Sequence, residues 1–313
     1  MPVSIALVGA TATGKTAVGI LLAEALGTEI IGCDSRQVYR RLDIGSAKPT
    51  PVERRRVRHH LVDVADPEER YSAARYRDAV LALLPAFASR ARIPLFVGGT
   101  GLYLRAALDG LCPAPPGLPG LRRWITAIGE TLPGGLHPLL AHVDAAAAAR
   151  IHPNDDFRLN RALEVFYLSG QTLTEHQRRH RCGRPASGVR LRLFAIDLPA
   201  EEIRRRIGLR LDAMMAAGFL EEARKLHDGG IDPGLPSMRA VGYPELFAHM
   251  RGETTLDEAL EAIRRATWQY ARRQLTWFRG ERRVTWIPAA AETSEADLAE
   301  VILQRLSDEG FPS

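Results

Sequence analysis

The segment with the clearest chemical meaning is a glycine-rich loop near the N-terminus. Its sequence, Gly9-Ala10-Thr11-Ala12-Thr13-Gly14-Lys15-Thr16, matches the pattern G-x-x-x-x-G-K-[ST], in which successive backbone N–H groups face a phosphate. The partial positive charge at a helix N-terminus strengthens that attraction. Lys15 adds a full charge, and the Thr16 hydroxyl is suited to binding Mg²⁺. The pattern predicts a site for a phosphate or diphosphate with Mg²⁺, but it does not identify ATP as the ligand.

Two further side chains are predicted to lie beside this loop. Asp34 follows the second predicted strand and Thr100 follows the third. Loops at the carboxyl ends of parallel strands meet at one edge of a sheet, so we expect both residues near the phosphate. A carboxylate in that position is electrostatically costly unless it binds a metal or handles a proton. The alternative is that Asp34 and Thr100 only cap turns or helices.

An acidic metal ligand is harder to find. Enzymes that transfer phosphoryl groups with this loop usually hold Mg²⁺ with an acid at a strand end. Asp197 ends the predicted strand at 190–197, and Asp63 follows a further short predicted strand at 60–62. The sequence does not decide between them. The lack of a clear acid at the third strand, which ends in Gly98-Gly99-Thr100, weakens the interpretation of the chain as a kinase.

Apolar spacing predicts the elements that position these residues. Strands are predicted at 4–8, 29–32, 94–97, 190–197 and 283–287, with helices at 16–26, 72–89 and 101–108. A segment rich in proline and glycine at 111–120 predicts a linker, and only helical patterns follow it. We predict an α/β fold, with a P-loop NTPase-like core whose parallel sheet is covered by helices. Residues 1–112 and 189–313 would form that core, and residues 113–188 an all-helical insertion domain that contacts tRNA if the family resemblance described below holds.

Composition excludes several classes of protein. The 313 residues are 46% hydrophobic and 25% charged, as in ordinary globular proteins and unlike disordered or fibrous ones. No apolar run is long enough to span a membrane, and no signal-peptide pattern is present. Three cysteines are too few and too scattered for a disulfide framework or a zinc site. We therefore expect a cytoplasmic protein with no membrane partner.

The net charge of +5 comes from 42 basic residues, of which only Lys15, Lys48 and Lys225 are lysine. Composition bias accounts for most of this arginine excess, but the placement of the arginines is informative. They are dense at 176–192 and 264–283, and the second stretch is interleaved with Trp268, Tyr270, Trp277 and Phe278. Arginine with aromatic rings favours an RNA backbone and unstacked bases. Helical amphipathicity would instead bury some of these rings, Trp268 and Trp277 among them, in the core.

Taken together, the motifs resemble those of the tRNA dimethylallyltransferase (tRNA isopentenyltransferase, IPP transferase) family. The matching segments occur in order at 9–16, 34–39, 43–49, 98–103, 154–165, 239–243 and 272–279. Ser46 stands where the family more often has threonine, and Pro244 where a basic residue is common. The sequence lacks the zinc-finger extension of eukaryotic members, so it resembles the bacterial type.

This resemblance implies transfer of a dimethylallyl group from dimethylallyl diphosphate to N6 of adenosine 37 of tRNA, beside the anticodon, in tRNAs that read codons beginning with U. The products would be N6-dimethylallyladenosine and diphosphate. It implies that Asp34 is the base, that Thr100 assists it, that Mg²⁺ is the cofactor and that Arg210 reaches the diphosphate, although Arg206 could compete. The partners would be dimethylallyl diphosphate and the anticodon stem-loop of tRNA, and we expect a monomer. The implied tRNA contacts are Asp34, Ser35, Arg36, Gln37, Arg158, Leu159, Asn160, Arg161, Ala162, Arg239, Ala240, Val241, Gly242, Tyr243, Pro244, Arg272, Arg273, Gln274, Leu275, Thr276, Trp277, Phe278 and Arg279.

Two other functions remain open from the residues alone. A small-molecule or nucleotide kinase would use the same loop and would need an acidic metal ligand. A non-catalytic RNA-binding protein with a degenerate nucleotide site would have lost some of the chemical groups. Lys15, Thr16, Asp34 and Thr100 are all intact, which disfavours the second possibility.

Overall fold

The computed structural model of the protein describes residues 3–182 and 190–311. The chain divides into two compact units, one formed by Met1–Leu108 with Gly188–Ser313 and the other by Asp109–Ser187. Within the described residues, no helix is long and apolar enough to cross a membrane.

A six-stranded sheet forms the centre of the first unit. The strands are β1 (Val3–Val8), β2 (Ile30–Gly32), β3 (His59–His60), β4 (Leu95–Val97), β5 (Arg190–Asp197) and β6 (Val284–Pro288). Their order across the sheet is β3-β2-β4-β1-β5-β6, and every neighbouring pair is parallel. The predicted parallel sheet is therefore confirmed. β3 ends at His60 because Leu61 and Asp63 have φ of 60° and 59°, which is incompatible with extended backbone.

Fourteen helices are present in the described residues. In chain order they are α1 (Lys15–Ala25), α2 (Pro51–Arg56), α3 (Ala73–Ser89), α4 (Gly101–Asp109), α5 (Pro119–Thr131), α6 (Leu136–Val143), α7 (Ala145–Ala148), α8 (Asp156–Ser169), α9 (Leu173–Cys182), α10 (Ala200–Ala216), α11 (Phe219–Asp228), α12 (Tyr243–Met250), α13 (Leu256–Arg279) and α14 (Glu295–Asp308).

The core of the first unit lies on both faces of the sheet. Ile5 and Leu7 of β1 pack into one buried cluster, while Ala6 and Val8 pack into the other. Side chains alternate between faces along a strand, so a strand covered on both sides must be apolar throughout. This explains why β1 has a continuous apolar sequence that leads directly into the phosphate loop.

The second unit contains α5 to α9 and has a small core of its own that includes Ile125, Leu140 and Leu163. The fully buried carboxylate of Glu164 accepts hydrogen bonds from the Leu118 N–H at 2.9 Å and from Arg122 and Arg161 at 2.8 Å each. These bonds tie the proline-rich segment at 111–120 to α8. Three donors to one buried carboxylate satisfy a charge that would otherwise be costly to bury.

Candidate active site

The strand order brings three loops together. β2, β4 and β1 are adjacent in the sheet, and each is followed by one of the segments that the sequence singles out. The phosphate loop, Asp34 and the pair Gly98–Gly99 line one cavity of about 350 Å³. Thr100 is the next residue along this third loop. The sheet topology, and not proximity in sequence, therefore assembles the site.

The phosphate loop has the backbone geometry that its glycines permit. Gly14, with φ of 86°, is the residue immediately before α1, and Gly9 has φ of 125°. Both conformations are unfavourable for a residue with a Cβ atom. The buried hydroxyl of Thr13 donates to the Ala10 carbonyl at 3.0 Å, which closes the loop on itself. The N-terminus of α1 therefore faces the cavity, as an anion site requires.

Lys15, Arg210 and Asp34 influence one another inside the cavity, whose lining also includes Arg36 and Glu53. The Lys15 ammonium contacts the Ala10 carbonyl. The pKa of Lys15 is lowered to about 7, because burial and the neighbouring Arg210 both lower it by more than Asp34 raises it. Burial also lowers the pKa of Arg210, again against the influence of Asp34. Positive charge held in a poorly solvated cavity favours an anionic ligand, because the ligand replaces the lost hydration.

The structure distinguishes Arg210 from Arg206, which lie one turn apart on α10. Arg210 lines the cavity, with Nη1 3.4 Å from the Thr11 hydroxyl. Arg206 instead pairs with Glu202, with Nε 2.6 Å from Oε1. The geometry favours Arg210 as the arginine that meets a ligand in the phosphate loop.

Asp34 and Thr100 are held by local hydrogen bonds. Asp34 Oδ1 accepts the N–H of Arg36 at 2.8 Å, and Thr100 Oγ1 accepts the N–H of Ser35 at 3.0 Å. Thr100 N–H donates to the Cys33 carbonyl at 3.1 Å. The loops approach so closely at Gly98 that a Cβ there would lie 2.1 Å from the Cys33 carbonyl oxygen. Glycine at 98 is therefore what allows the loops that carry Asp34 and Thr100 to pack against each other beside the cavity.

Comparison with known proteins places the chain in a family. A model of the IPP transferase family matches residues 37–281, which is more than half of the chain. The chain is 47% identical to a tRNA dimethylallyltransferase of Syntrophobacter fumaroxidans over 269 residues, covering 85% of this chain and 78% of that protein. The chain belongs to the IPP transferase family.

Solved structures agree with this assignment. The full-length tRNA isopentenylpyrophosphate transferase of Bacillus halodurans superposes with a TM-score of 0.71 at 35% identity, covering 98% of this chain and 97% of that one. A eukaryotic dimethylallyltransferase acting on tRNA superposes with a TM-score of 0.82, covering all of this chain and 81% of that one. At 23% identity the second similarity concerns the fold alone.

Within this IPP transferase site, Tyr270 of α13 is a residue whose position the sequence does not reveal. It lines the cavity, and its pKa is raised by burial and by the nearby Asp34 carboxylate, while Arg36 and a hydrogen bond with Thr100 act in the opposite direction. A phenol therefore faces both candidate catalytic groups. In the sequence, Tyr270 is only one of several aromatic residues among the arginines.

The family segment 272–279 splits between surface and interior. Arg272, Arg273, Thr276 and Arg279 are exposed, whereas Leu275 and Phe278 lie in the core. Gln274 is also buried, and it joins the phosphate loop to Gly99. Trp277 is half-buried, and the guanidinium of Arg105 lies 4.5 Å from its ring centroid. A helix with 3.6 residues per turn turns by about 100° at each residue, so an eight-residue segment presents side chains both to the surface and to the interior.

The segment 239–244 shows the same division. Arg239 and Pro244 are exposed, Val241 is partly buried, and Ala240, Gly242 and Tyr243 are buried. The Tyr243 hydroxyl donates to Glu222 Oε1 at 2.7 Å. Glu222 also accepts the backbone N–H groups of Asp43, Ile44 and Gly45 at 2.8 to 2.9 Å. Glu222 thus fixes a loop that lines the cavity, although it lies far away in the sequence.

The remaining family segments are partly engaged in the protein. Arg36 donates to the Pro236 carbonyl at 2.5 Å, and Gln37 to the Ala47 carbonyl at 2.9 Å. In the second unit, Arg158 is exposed and Leu159, Asn160 and Ala162 are buried. Arg161 pairs with Glu164 and donates to the Pro115 carbonyl at 2.7 Å.

Neither candidate metal-binding acid lies in the cavity wall. Asp63 pairs with Lys48 and Arg54 at 2.6 Å each, and Asp197 lies at the end of β5, 4.0 Å from Arg279. Both are absent from the residues that line the cavity, whereas Thr16 is among them. In the part of the chain that the structure describes, no group of three histidine, cysteine or acidic side chains could hold a metal ion.

Proposed function

We propose that this IPP transferase family member transfers a dimethylallyl group from dimethylallyl diphosphate to N6 of adenosine 37 of tRNA, acting as a monomer in the cytoplasm. The observation that carries the proposal is the carboxylate of Asp34 at the edge of a phosphate-binding cavity. A kinase would need an acidic metal ligand in that cavity. Neither Asp63 nor Asp197 lines it; the acids that do are Asp34 and Glu53, and the Glu53 carboxylate is engaged in capping α2 with Thr50. Relatives named tRNA dimethylallyltransferase support the same conclusion.

The phosphate loop binds the leaving group. As the carbon–oxygen bond of dimethylallyl diphosphate breaks, negative charge accumulates on the diphosphate oxygens. The backbone N–H groups at the start of α1, together with Lys15 and Arg210, face the place where that charge develops. Donors and cations that are already oriented need no reorganisation during the reaction, which is the main source of electrostatic catalysis.

The residues present fit a Mg²⁺ ion that is held largely by the substrate. Thr16 offers a hydroxyl at the cavity wall, and Mg²⁺ commonly binds through few protein ligands while it keeps waters and phosphate oxygens. When bound, the ion would neutralise part of the charge on the diphosphate.

Asp34 accepts the proton that the acceptor amine must lose. The exocyclic amine of adenine is a weak nucleophile because its lone pair is delocalised into the ring. As N6 forms a bond to C1 of the dimethylallyl group, the C1–oxygen bond breaks, diphosphate leaves and one N6 proton passes to the carboxylate of Asp34. The hydroxyl of Thr100 orients the Asp34 loop through Ser35, and the Tyr270 phenol lies on the same side of the cavity.

The exposed arginines supply the RNA surface. An adenosine reaches the cavity only after it leaves its stack, and an unpaired loop such as the anticodon loop allows this at low cost. We assign phosphate contacts to the exposed members of the family segments: Arg158, Arg239, Arg272, Arg273 and Arg279. Among the buried members of the segments 239–244 and 272–279, Ala240 and Gln274 line the cavity.

The test is a transfer assay with purified protein, Mg²⁺, labelled dimethylallyl diphosphate and unmodified tRNA. The proposal expects label at N6 of adenosine 37, release of diphosphate, and no label on tRNA in which that base is replaced by guanosine. An Asp34→Asn variant serves as the matched control. Label elsewhere in the tRNA, or phosphoryl transfer from ATP in place of prenyl transfer, would refute the proposal.

A further inference from the structure

The first half of the phosphate loop, residues 9–12, is called its N-terminal arm here. It is held by a side chain from the C-terminal part of the first unit. The Thr11 N–H donates to Gln274 Oε1 at 2.8 Å, and Gln274 Nε2 donates to the Gly99 carbonyl at 3.0 Å. Only 5% of Gln274 is exposed. Both polar ends of the amide are therefore used inside the protein, and α13 fixes the position of this arm.

Because of these bonds, fewer backbone N–H groups of the loop are free to bind a ligand. A phosphate loop binds a chain of phosphoryl groups through successive N–H groups that start at the helix N-terminus. A diphosphate is served by the donors around Gly14, Lys15 and Thr16. A third phosphoryl group would extend toward the N-terminal arm, where the Thr11 N–H is already taken. Releasing that N–H would leave the buried Gln274 carbonyl without its donor, which costs free energy.

Packing holds the same arm against its neighbours. A Cβ on Gly99 would lie 2.0 Å from Gln274 Nε2 and 3.1 Å from the Gly9 carbonyl oxygen. The start of the phosphate loop, the Gly99 segment and α13 are therefore in direct contact. Thr11, Gly99 and Gln274 also line the cavity, so the occupied Thr11 N–H, and not a lack of space, is what limits this arm.

We propose that Gln274 is a specificity-determining residue that limits the phosphate loop to two phosphoryl groups. It would do so by occupying the Thr11 N–H, so that diphosphates bind more tightly than triphosphates. The inference rests on the proposed function only in taking a diphosphate as the natural ligand.

The test compares inorganic pyrophosphate with inorganic tripolyphosphate, each titrated calorimetrically into the full chain with saturating Mg²⁺. The wild-type protein should bind pyrophosphate at least about tenfold more tightly. Gln274→Ala should reduce that ratio to about threefold or less, mainly by tightening tripolyphosphate binding. Gln274→Asn has a shorter side chain that cannot reach both the Thr11 N–H and the Gly99 carbonyl, so it should lower the ratio as well. This variant provides the test if the alanine variant does not fold. Gln269→Ala, at an exposed glutamine of the same helix, should leave the ratio unchanged.

Equal affinity of the wild-type protein for the two ligands would overturn the inference, and so would a wild-type ratio in both Gln274 variants. The transfer assay separates this failure from that of the proposed function. If the wild-type protein transfers the prenyl group but the Gln274 variants keep the wild-type affinity ratio, the role of Gln274 is refuted and the proposed transferase activity stands. If the variants lower the ratio but the wild-type protein transfers no prenyl group, the role of Gln274 stands and the proposed transferase activity is refuted.

Discussion

The lowered pKa of Lys15 predicts that diphosphate affinity depends on pH near neutrality. Burial and Arg210 together bring the pKa of this ammonium to about 7, so its charge is lost as the pH rises through that value. Only the protonated side chain attracts the ligand. Binding an anion beside it raises its pKa, so the complex takes up a proton, and affinity is full below pH 7 and declines above it.

The expected magnitude follows from the pKa. With a value of about 7, roughly nine-tenths of the side chains carry the charge at pH 6 and roughly one-tenth at pH 8. If binding requires the charged form, the Kd for pyrophosphate rises about tenfold between those pH values. Arginine keeps its charge throughout this range. A Lys15→Arg variant should therefore show only the titration that belongs to the ligand itself.

The assay is calorimetric titration of pyrophosphate at saturating Mg²⁺ from pH 6 to pH 9, in pairs of buffers with different ionisation enthalpies. The wild-type protein should take up close to one proton on binding at pH 8, beyond any that the variant takes up. The reasoning would be refuted if the wild type and Lys15→Arg gave parallel curves of Kd against pH, because Lys15 would then be charged throughout.

Three other perturbations test separate parts of the site. Asp34→Asn keeps an acceptor for the Arg36 N–H but removes the base, so kcat should fall about 10²- to 10⁴-fold while tRNA still binds; near-normal turnover in single-turnover assays would exclude Asp34 as the base. Glu222→Gln should lower the free energy of unfolding in urea by about 1–3 kcal/mol, more than Tyr243→Phe, which removes a single donor; equal losses would show that the backbone bonds of Glu222 add nothing. The affinity for tRNA should fall steeply with salt, and replacing Arg272 by alanine should reduce the slope of log K against log salt by about 0.7 to 0.9; an unchanged slope in filter-binding titrations would place no phosphate there.

The sequence predicts those parts of the site that depend on local geometry and on strand ends. Asp34 and Gly98 to Thr100 come directly after strands, so parallel pairing alone brings them to the phosphate loop. The sheet itself was predictable because strands buried on both faces have continuous apolar sequences. Only β3 deviates, because positive φ at Leu61 and Asp63 stops an extended strand that the sequence places at 60–62.

Other residues depend on partners that the sequence does not pair. Arg206 and Arg210 lie one turn apart on the same helix, and tertiary contacts distinguish them: Arg206 pairs with Glu202, whereas Arg210 lines the cavity beside Thr11. Gln274 stands among arginines in a segment that the family resemblance assigns to tRNA, yet its side chain faces inward. Glu222 contacts a loop about 180 residues earlier. Such long-range contacts are fixed by tertiary packing, which local patterns do not encode.

The hydrogen bond between Thr11 and Gln274 also has a consequence for protein synthesis. The phosphate loop is among the first segments to leave the ribosome, and Asp34 and Thr100 follow within the next hundred residues. The arm of the loop, however, gains its partner only when Gln274 emerges. A nascent chain therefore carries an acid, a lysine and a phosphate loop for most of its translation without the complete cavity wall. The arm of the loop acquires its final hydrogen bonds only in the nearly complete polypeptide.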